Sequence, residues 1–149
     1  MTEMSKTQRL AGVRILFAED NEVNQLVMEA MLRPEGPELT TVADGRLAVE
    51  QVLTRGAEAF DIVLMDVQMP VMDGYEATRR IREISRDLPV VGQTAHVLQD
   101  AIQQCQDAGM VAHISKPIDR HDLVTTILRH ARRGRAPSRT VRATRGASE

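Results

Sequence analysis

Short apolar runs alternate with amphipathic stretches along most of the chain. Residues 15–18 and 62–65 are continuous apolar runs, which are typical of strands covered on both faces of a parallel sheet. Weaker strand patterns lie at 39–43, 90–94 and 111–115, each after a helical stretch and a Gly or Pro turn signal. The pattern therefore predicts five strands.

The amphipathic stretches carry apolar residues at helical spacing. Each set falls on one face of a helix, so we expect each to form one buried stripe. The positions are Val23, Leu26, Val27, Ala30 and Met31; Ala48, Val49 and Val52; Ala77, Ile81 and Ile84; and Leu123, Val124, Ile127, Leu128 and Ala131.

Polar residues that favour helix N-termini precede these stretches. The pair Asp73 and Glu76 and the pair Asp119 and Asp122 have the spacing of capping boxes. At the other helix starts, the predicted N-caps are Asn21, Asp44 and Asp100.

Alternating strands and helices predict an α/β fold of the (βα)5 type. Crossovers between parallel strands are right-handed, so the strands should form a doubly wound, five-stranded parallel sheet with helices on both faces. Ligands of such sheets bind beyond the carboxyl ends of the strands. Functional residues are therefore expected at that edge.

The composition limits the class of protein. A chain of 149 residues with 42% hydrophobic content fits one domain. Its three aromatic residues, Phe17, Phe60 and Tyr75, give base stacking no platform, so specific nucleic-acid binding is not expected. The lone Cys105 is predicted to be a small buried hydrophobe. No apolar run approaches the roughly 18 residues of a membrane span, and no signal peptide is recognisable, so we expect a soluble, cytoplasmic protein.

Charge is distributed unevenly along the chain. Residues 1–128 carry 12 Lys and Arg against 20 Asp and Glu, whereas residues 129–149 carry seven Arg against one Glu. The end of the chain is rich in Gly, Pro, Ser, Thr and Arg without apolar periodicity, which is typical of a linker or free tail. We therefore divide the chain into an N-terminal extension (1–12), a folded domain (13–133) and an Arg-rich tail (134–149).

Polar residues follow or end four of the predicted strands. Glu19 and Asp20 follow the first strand, Asp66 ends the third, Thr94 ends the fourth and Lys116 follows the fifth. Clustered carboxylates repel one another, so they are expected to hold a hard divalent cation, and few carboxylates on an open site suit Mg²⁺. A carboxylate supported by a metal and a Lys can also accept a phosphoryl group. Taken one at a time, each residue fits an ordinary structural role, such as capping a loop or lying as a charge in solvent. Their joint placement at one edge favours a site that accepts a phosphoryl group.

Four segments of the chain resemble a known family. Residues 15–21 (ILFAEDN), 65–74 (MDVQMPVMDG), 94–95 (TA) and 116–118 (KPI) are similar, in order and spacing, to the signature segments of response-regulator receiver domains. Receivers attached to hybrid sensor histidine kinases are especially similar. The resemblance covers about residues 13–133 and implies a phosphorelay function and the flavodoxin-like strand order 2-1-3-4-5.

The resemblance implies a role for each matching residue. Asp66 would be the phosphoacceptor. Asp20 and Asp66 would bind Mg²⁺ through their carboxylates, Gln68 through its backbone carbonyl and Glu19 mainly through water.

Further implied roles concern the phosphoryl group itself. Lys116 would contact it, and Thr94 would join after transfer. The bond between Lys116 and Pro117 is a candidate for the cis geometry that the family usually has there. Gln68 and His96 match positions that tune hydrolysis of the aspartyl-phosphate.

One position departs from the family pattern. Receivers usually carry Tyr or Phe three residues before the Lys, where this chain has His113. An imidazole is smaller and becomes charged near neutral pH, so we expect Thr94 to be coupled to the signalling surface weakly or in a pH-sensitive way. The alternative is that His113 lies on the exposed strand edge in both states.

Two functional interpretations remain. The favoured one is a switch that catalyses only its own phosphorylation and dephosphorylation, with a histidine kinase or histidine phosphotransfer domain as donor. The alternative is a receiver-like binding module that works without phosphate, and the presence of all five polar residues argues against it. Few residues follow the last helix, so output would pass to a protein partner or to domains missing from this chain. Dimerisation on phosphorylation is compatible with either form of output.

Overall fold

The fold is a five-stranded parallel sheet, seen in a computed structural model that describes residues 8–69, 71–95 and 99–132. The strands are β1 (Arg14–Ala18), β2 (Glu38–Val42), β3 (Ile62–Asp66), β4 (Val90–Thr94) and β5 (Ala112–Ser115). Their order across the sheet is β2-β1-β3-β4-β5, and every pair is parallel. The predicted strands and the flavodoxin-like order are therefore confirmed.

Within the same ranges, five helices follow the strands. Two 3₁₀ turns, Arg33–Glu35 and Ala57–Ala59, lead into the second and third strands. The helices are α1 (Glu22–Leu32), α2 (Gly45–Arg55), α3 (Gly74–Ile84), α4 (Gln99–Ala108) and α5 (Arg120–His130).

Side-chain caps fix where most of these helices begin. Asp100 is the one wrong prediction, because it lies in the first turn of α4, which already begins at Gln99. An acidic residue is favoured both at the N-cap and in the first turn, so its type does not separate the two positions. The confirmed N-caps, each accepting a hydrogen bond from the backbone N–H three residues later, are Asn21, Asp44, Asp73 and Asp119.

The sheet separates two apolar layers. Alternate residues of a strand face opposite sides, so Ile15 and Phe17 pack towards α1 and α5, whereas Leu16 and Ala18 pack towards α2, α3 and α4. All five residues of β3 are buried. Coverage on both faces is the reason that the central strands are continuous apolar runs.

The predicted buried stripe of α1 is wrong at four of its five positions, because only Met31 packs, partly buried, against the core. The residues that α1 buries are Met28 and Leu32, which lie four positions apart and face the sheet. Apolar residues of this helix cover a wider arc than the sheet can bury, and helical spacing alone does not show which part faces the core. Ile84, at the end of α3, is also exposed rather than buried. The exposed apolar positions of α1 are Val23 (66%), Leu26 (65%), Val27 (47%) and Ala30.

Residues 8–12, which we placed in the N-terminal extension, pack on the body of the domain. Leu10 is fully buried and belongs to the layer beneath α1 and α5. Arg9 forms a bidentate ion pair with the buried Glu35, with distances of 3.0 Å (Nε to Oε1) and 2.8 Å (NH2 to Oε2). Arg120 contacts the same carboxylate at 3.2 Å. A single buried carboxylate therefore joins the start of the chain to α5.

Other predictions fall outside the described ranges. Residues 1–7, His96 and the tail at 134–149 are among them. Within the part of the chain that the structure describes, no helix combines the length and hydropathy needed to cross a bilayer.

Candidate functional site

The carboxyl edge of the sheet brings together acidic residues from two neighbouring strands. Glu19 and Asp20 follow β1, Asp66 is the last residue of β3, and Ala18 is in register with Met65. Glu19 and Asp66 are 1% and 3% exposed, while Asp20 is exposed. Two carboxylates are thus held out of water beside a third that faces it.

These three side chains are close enough to share a cation. One carboxylate oxygen from each of Glu19, Asp20 and Asp66 lies within 4.8 Å of the others. Ligands on opposite sides of a Mg²⁺ ion are about 4.2 Å apart, since each bond is about 2.1 Å long. Hard carboxylate oxygens in this arrangement fit Mg²⁺ after a small adjustment, or with water between the ion and one carboxylate.

Glu19 is fixed by the start of α1. Its Oε2 accepts hydrogen bonds from the backbone N–H of Asn21 at 3.1 Å and from Nδ2 of Asn24 at 3.4 Å. Its backbone carbonyl accepts a hydrogen bond from Nε2 of Gln25 at 2.6 Å. Burial raises the pKa of Glu19, and the charge of Asp66 raises it further. The hydrogen bonds from Asn21 and Asn24 and the charge of Lys116 act in the opposite direction and lower it. Sequence reasoning missed Asn24 and Gln25, although their positions one turn into α1 place them beside Glu19.

Lys116 supplies the positive charge of the site. Its Nζ is 3.1 Å from Oδ1 of Asp66 and 3.6 Å from Oε1 of Glu19. Its backbone N–H donates to the carbonyl of Thr94 at 2.8 Å, which ties the segment after β5 to the end of β4. The predicted cis bond between Lys116 and Pro117 is present. One ammonium group therefore serves two buried carboxylates.

Thr94 and Gln68 follow the same edge of the sheet without being part of the acidic cluster. Thr94 is buried at the end of β4, and Gln68 is exposed in the loop after β3. The Gln68 backbone N–H donates to Oδ1 of Asp66 at 3.3 Å. Both residues line a groove of about 260 Å³ that also includes Tyr75. His113 is half-buried in β5, opposite Gly92 of β4.

Gly74 is a further residue of the site that sequence reasoning did not single out. It begins α3 directly behind Asp66, and a Cβ at this position would approach the Asp66 carbonyl oxygen too closely and lie 2.8 Å from Cα of Val67. Only glycine allows the helix to pack so near the strand end. The Asp–Gly pair at 73–74, which combines an N-cap with a residue that lacks a side chain, is the signal that indicates this contact.

The geometry supports chemistry on an anionic group. Asp66 offers a carboxylate oxygen, Lys116 offers a fixed cation, and Glu19 with Asp20 completes a set of ligands for a divalent ion. With a divalent ion bound, such a site would stabilise added negative charge at the Asp66 carboxylate.

Comparison with known proteins identifies the family. The profile of the response regulator receiver domain matches residues 15–128. Histidine kinase 1 of Arabidopsis thaliana is 38% identical over 80% of this chain, which spans 13% of that protein. Sensor protein GacS of Pseudomonas syringae pv. syringae is 40% identical over 85% of this chain, which spans 14% of it.

A similar solved structure belongs to the same family. The receiver domain of sensor histidine kinase PA1611 from Pseudomonas aeruginosa PAO1, with a magnesium ion coordinated in its active site cleft, is 45% identical. The match covers 80% of this chain and 98% of that domain, with a TM-score of 0.71. This chain belongs to the family of response regulator receiver domains of two-component phosphorelay systems.

Proposed function

We propose that Asp66 accepts a phosphoryl group and that this chain acts as the receiving switch of a phosphorelay. The observation that carries the proposal is the position of the Asp66 carboxylate, at a buried strand end and 3.1 Å from the Lys116 ammonium. Its oxygen also lies within 4.8 Å of carboxylate oxygens from Glu19 and Asp20. Transfer adds negative charge there; Lys116 is positioned to balance part of it, and a divalent cation held by the three carboxylates would supply the rest.

Mg²⁺ is the cofactor that we propose for this site. The carboxylates of Asp20 and Asp66 and the backbone carbonyl of Gln68 would hold the ion, with Glu19 acting through water. The bound ion would screen the incoming phosphoryl oxygens from the carboxylates. The magnesium in the active site cleft of the PA1611 receiver supports this assignment.

The residues of this chain have distinct parts in the transfer. One carboxylate oxygen of Asp66 attacks phosphorus, a P–O bond forms, and the bond to the donor breaks with its electron pair leaving on the donor atom. Lys116 pairs with a phosphoryl oxygen, and the Thr94 hydroxyl donates a hydrogen bond to another oxygen once transfer is complete. Attack of water on phosphorus later restores the free carboxylate of Asp66. The chain thus catalyses only its own phosphorylation and dephosphorylation.

A histidine kinase or histidine phosphotransfer domain is the donor that we propose. The relatives that this chain matches are histidine kinases, and the chain spans 13–14% of the length of Arabidopsis Histidine kinase 1 and GacS. Beside the acceptor edge, the exposed side chains of Val23, Leu26 and Val27 form an apolar face on α1, and Val71 is 75% exposed in the loop after β3. Exposed apolar residues grouped around a reactive group favour docking of a protein.

The free, buried thiol of Cys105 fits a reducing compartment, which supports a cytoplasmic setting. The output partner, or the output domains of a longer protein, would respond to the surface formed by α4, β5 and α5.

Uptake of phosphate from a small donor tests the proposal. Incubation with acetyl phosphate and Mg²⁺ should increase the intact mass by one phosphoryl group, and omission of Mg²⁺ or the substitution Asp66→Asn should abolish the increase. Asp44→Asn is the matched control, because Asp44 lies at the same edge and caps α2, and Asn caps a helix equally well. Uptake that survives in Asp66→Asn would refute the assignment.

The same measurement separates the alternative of a phosphate-independent binding module. That alternative predicts a folded, Mg²⁺-binding domain that never gains mass. The close approach of Lys116 to Asp66 favours the phosphoryl switch, because a module that binds only through its surface does not require an ammonium group 3.1 Å and 3.6 Å from two buried carboxylates.

A further inference from the structure

The chain enters the domain along the first 3₁₀ turn. The backbone N–H groups of Gln8 and Leu10 donate to the carbonyls of Pro34 and Glu35, each at 2.9 Å. The side chain of Leu10 is fully buried in the apolar layer beneath α1 and α5. These contacts fix residues 8–10, which we call the entry segment, on the body of the domain.

Two arginines share the carboxylate of Glu35, which is completely buried. Arg9 of the entry segment donates to both oxygens, with Nε 3.0 Å from Oε1 and NH2 2.8 Å from Oε2. Arg120, the first residue of α5, donates to Oε2 at 3.2 Å. The bidentate contact and its shorter distance make Arg9 the stronger of the two partners.

Arg120 connects Glu35 with the proposed phosphoryl site. Three residues separate it from Lys116, whose Nζ lies 3.1 Å from Oδ1 of Asp66. Within this short link, Ile118 packs against the apolar layer that the entry segment also enters, and Asp119 caps α5. So short and anchored a link cannot absorb a movement of Arg120, and a displacement there reaches Lys116.

Release of the entry segment would change the surroundings of Glu35. A buried carboxylate that loses one of its partners is strongly destabilising, because its charge is no longer compensated. Arg120 would therefore close on Glu35 more tightly to compensate for the loss of Arg9. The start of α5 would follow, and Lys116 would be drawn away from its position beside Asp66.

We propose that the docked entry segment sets the position of Lys116 through Glu35 and Arg120, so that displacement of the chain before the domain weakens the phosphoryl site. The effect on phosphoryl binding rests on the proposed function, whereas the link from Glu35 to Lys116 does not. Coupling of this kind is reciprocal, so a phosphoryl group at Asp66 in turn favours the docked entry segment.

Arg9→Met tests the link, because it removes the guanidinium group and keeps an apolar stem. We expect the Lys116 amide NMR signal of the metal-free protein to shift. Beryllofluoride in the presence of Mg²⁺ should bind about threefold more weakly, as expected for loss of a positioning contact. Arg46→Met is the matched control, because it breaks an exposed ion pair with Glu50 on α2 and should change neither quantity.

A second substitution separates this coupling from a simple loss of stability. In Arg9→Met/Glu35→Gln the neutral amide no longer attracts Arg120. The Lys116 signal and the beryllofluoride affinity should therefore return towards their wild-type values, although the protein is less stable. An affinity that falls further in the double variant would overturn the proposal, and so would a Lys116 signal that Arg9→Met leaves unchanged.

Hydrogen exchange of the wild type keeps the test decisive if the double variant does not fold. Exchange at the Leu10 amide should slow about threefold with beryllofluoride and Mg²⁺, because reciprocal coupling has the same factor in both directions. The Gly56 amide, which donates to Val52 at the end of α2, is the control. Unchanged exchange at Leu10, or equal slowing at Gly56, would overturn the proposal. A wild type that binds no beryllofluoride would refute the proposed function instead, and the metal-free Lys116 signal would still test the link.

Discussion

Two buried carboxylates of this domain have opposite electrostatic surroundings. Glu35 is completely buried but receives hydrogen bonds from Arg9 and Arg120, and the side-chain hydrogen bond from Arg9 is the main cause of lowering its pKa to about 2. Glu19 is almost as buried, and burial raises its pKa. The one ammonium group nearby, that of Lys116, is shared with Asp66 and does not offset this effect. A satisfied carboxylate stabilises the fold, whereas an incompletely compensated cluster is suited to bind added positive charge.

Glu35 should make the domain sensitive to acid. Its pKa is about 2 when folded and 4.5 ordinarily, so the unfolded chain takes up the proton first and stability falls as the pH drops from 4.5 towards 2. We expect Glu35→Gln to lower the free energy of unfolding at pH 7 by about 2 kcal/mol, a value reduced from that of fully buried pairs because both guanidinium groups are partly in water. Urea unfolding followed by circular dichroism measures this loss.

Comparison across pH distinguishes the ion pair from a general packing effect. The difference between wild type and Glu35→Gln should shrink between pH 5 and pH 3, because the Glu35 carboxylate of the unfolded wild-type chain becomes protonated in this range while the folded one stays ionised. Glu38→Gln, at an exposed position of β2, should change stability little at either pH. An undiminished difference at pH 3 would show that Glu35 acts through packing alone.

The sequence predicted the site residues better than it predicted this ion pair. Glu19, Asp20, Asp66 and Lys116 lie next to strand ends, so a correct assignment of strands was sufficient to bring them to one edge. Glu35 pairs with partners 26 and 85 positions away, and no local pattern marks either contact. Long-range side-chain pairs depend on packing that neither spacing nor residue type reveals.

At the scale of elements, α1 is the part whose sequence pattern misled us. Its outer apolar residues have the spacing of a buried stripe, but the sheet covers only the face with Met28 and Leu32. The burial of the central strands was predicted correctly, because a continuous apolar run is covered on both faces of the sheet. The prediction therefore did not depend on which face is buried. Burial in the core therefore does not explain the exposed apolar residues of α1, and the proposed docking of a phosphodonor would explain them.

Docking through α1 leads to a prediction about Leu26. We expect Leu26→Lys to leave stability and uptake from acetyl phosphate unchanged, because Leu26 is 65% exposed. Transfer from a phosphohistidine donor domain should slow by about tenfold, since an apolar contact worth about 1–2 kcal/mol is replaced by a charge. Rapid-quench measurement of phosphoryl transfer gives both rates.

Leu53 provides the matched control for this experiment. It is 62% exposed on α2, so Leu53→Lys makes the same chemical change on another helix. Equal slowing in the two variants would indicate a general charge effect and would contradict docking through α1.

At the scale of the whole molecule, a backbone hydrogen bond links the end of β4 to the segment between β5 and α5. Thr94 ends β4, and its carbonyl accepts a hydrogen bond from the backbone N–H of Lys116, so the proposed movement of Thr94 would be passed to that segment. Topology of this kind could be predicted from the alternation of strands and helices. The proposed coupling could not, because it would depend on whether the half-buried His113 has room to turn inward if Thr94 moves.

His113 should limit how fully the surface of α4, β5 and α5 responds to phosphate. An imidazole is smaller and more polar than a phenol ring, so it should fill an inward-facing apolar space less well. His113→Tyr should therefore give a larger response. Amide NMR shifts of residues 99–132, recorded with and without beryllofluoride and Mg²⁺, measure the response in both proteins. Because Asp66 lies on another strand, its occupancy should be the same in all samples. Identical shift changes in every comparison would mean that His113 is not part of the switch and that output follows another route.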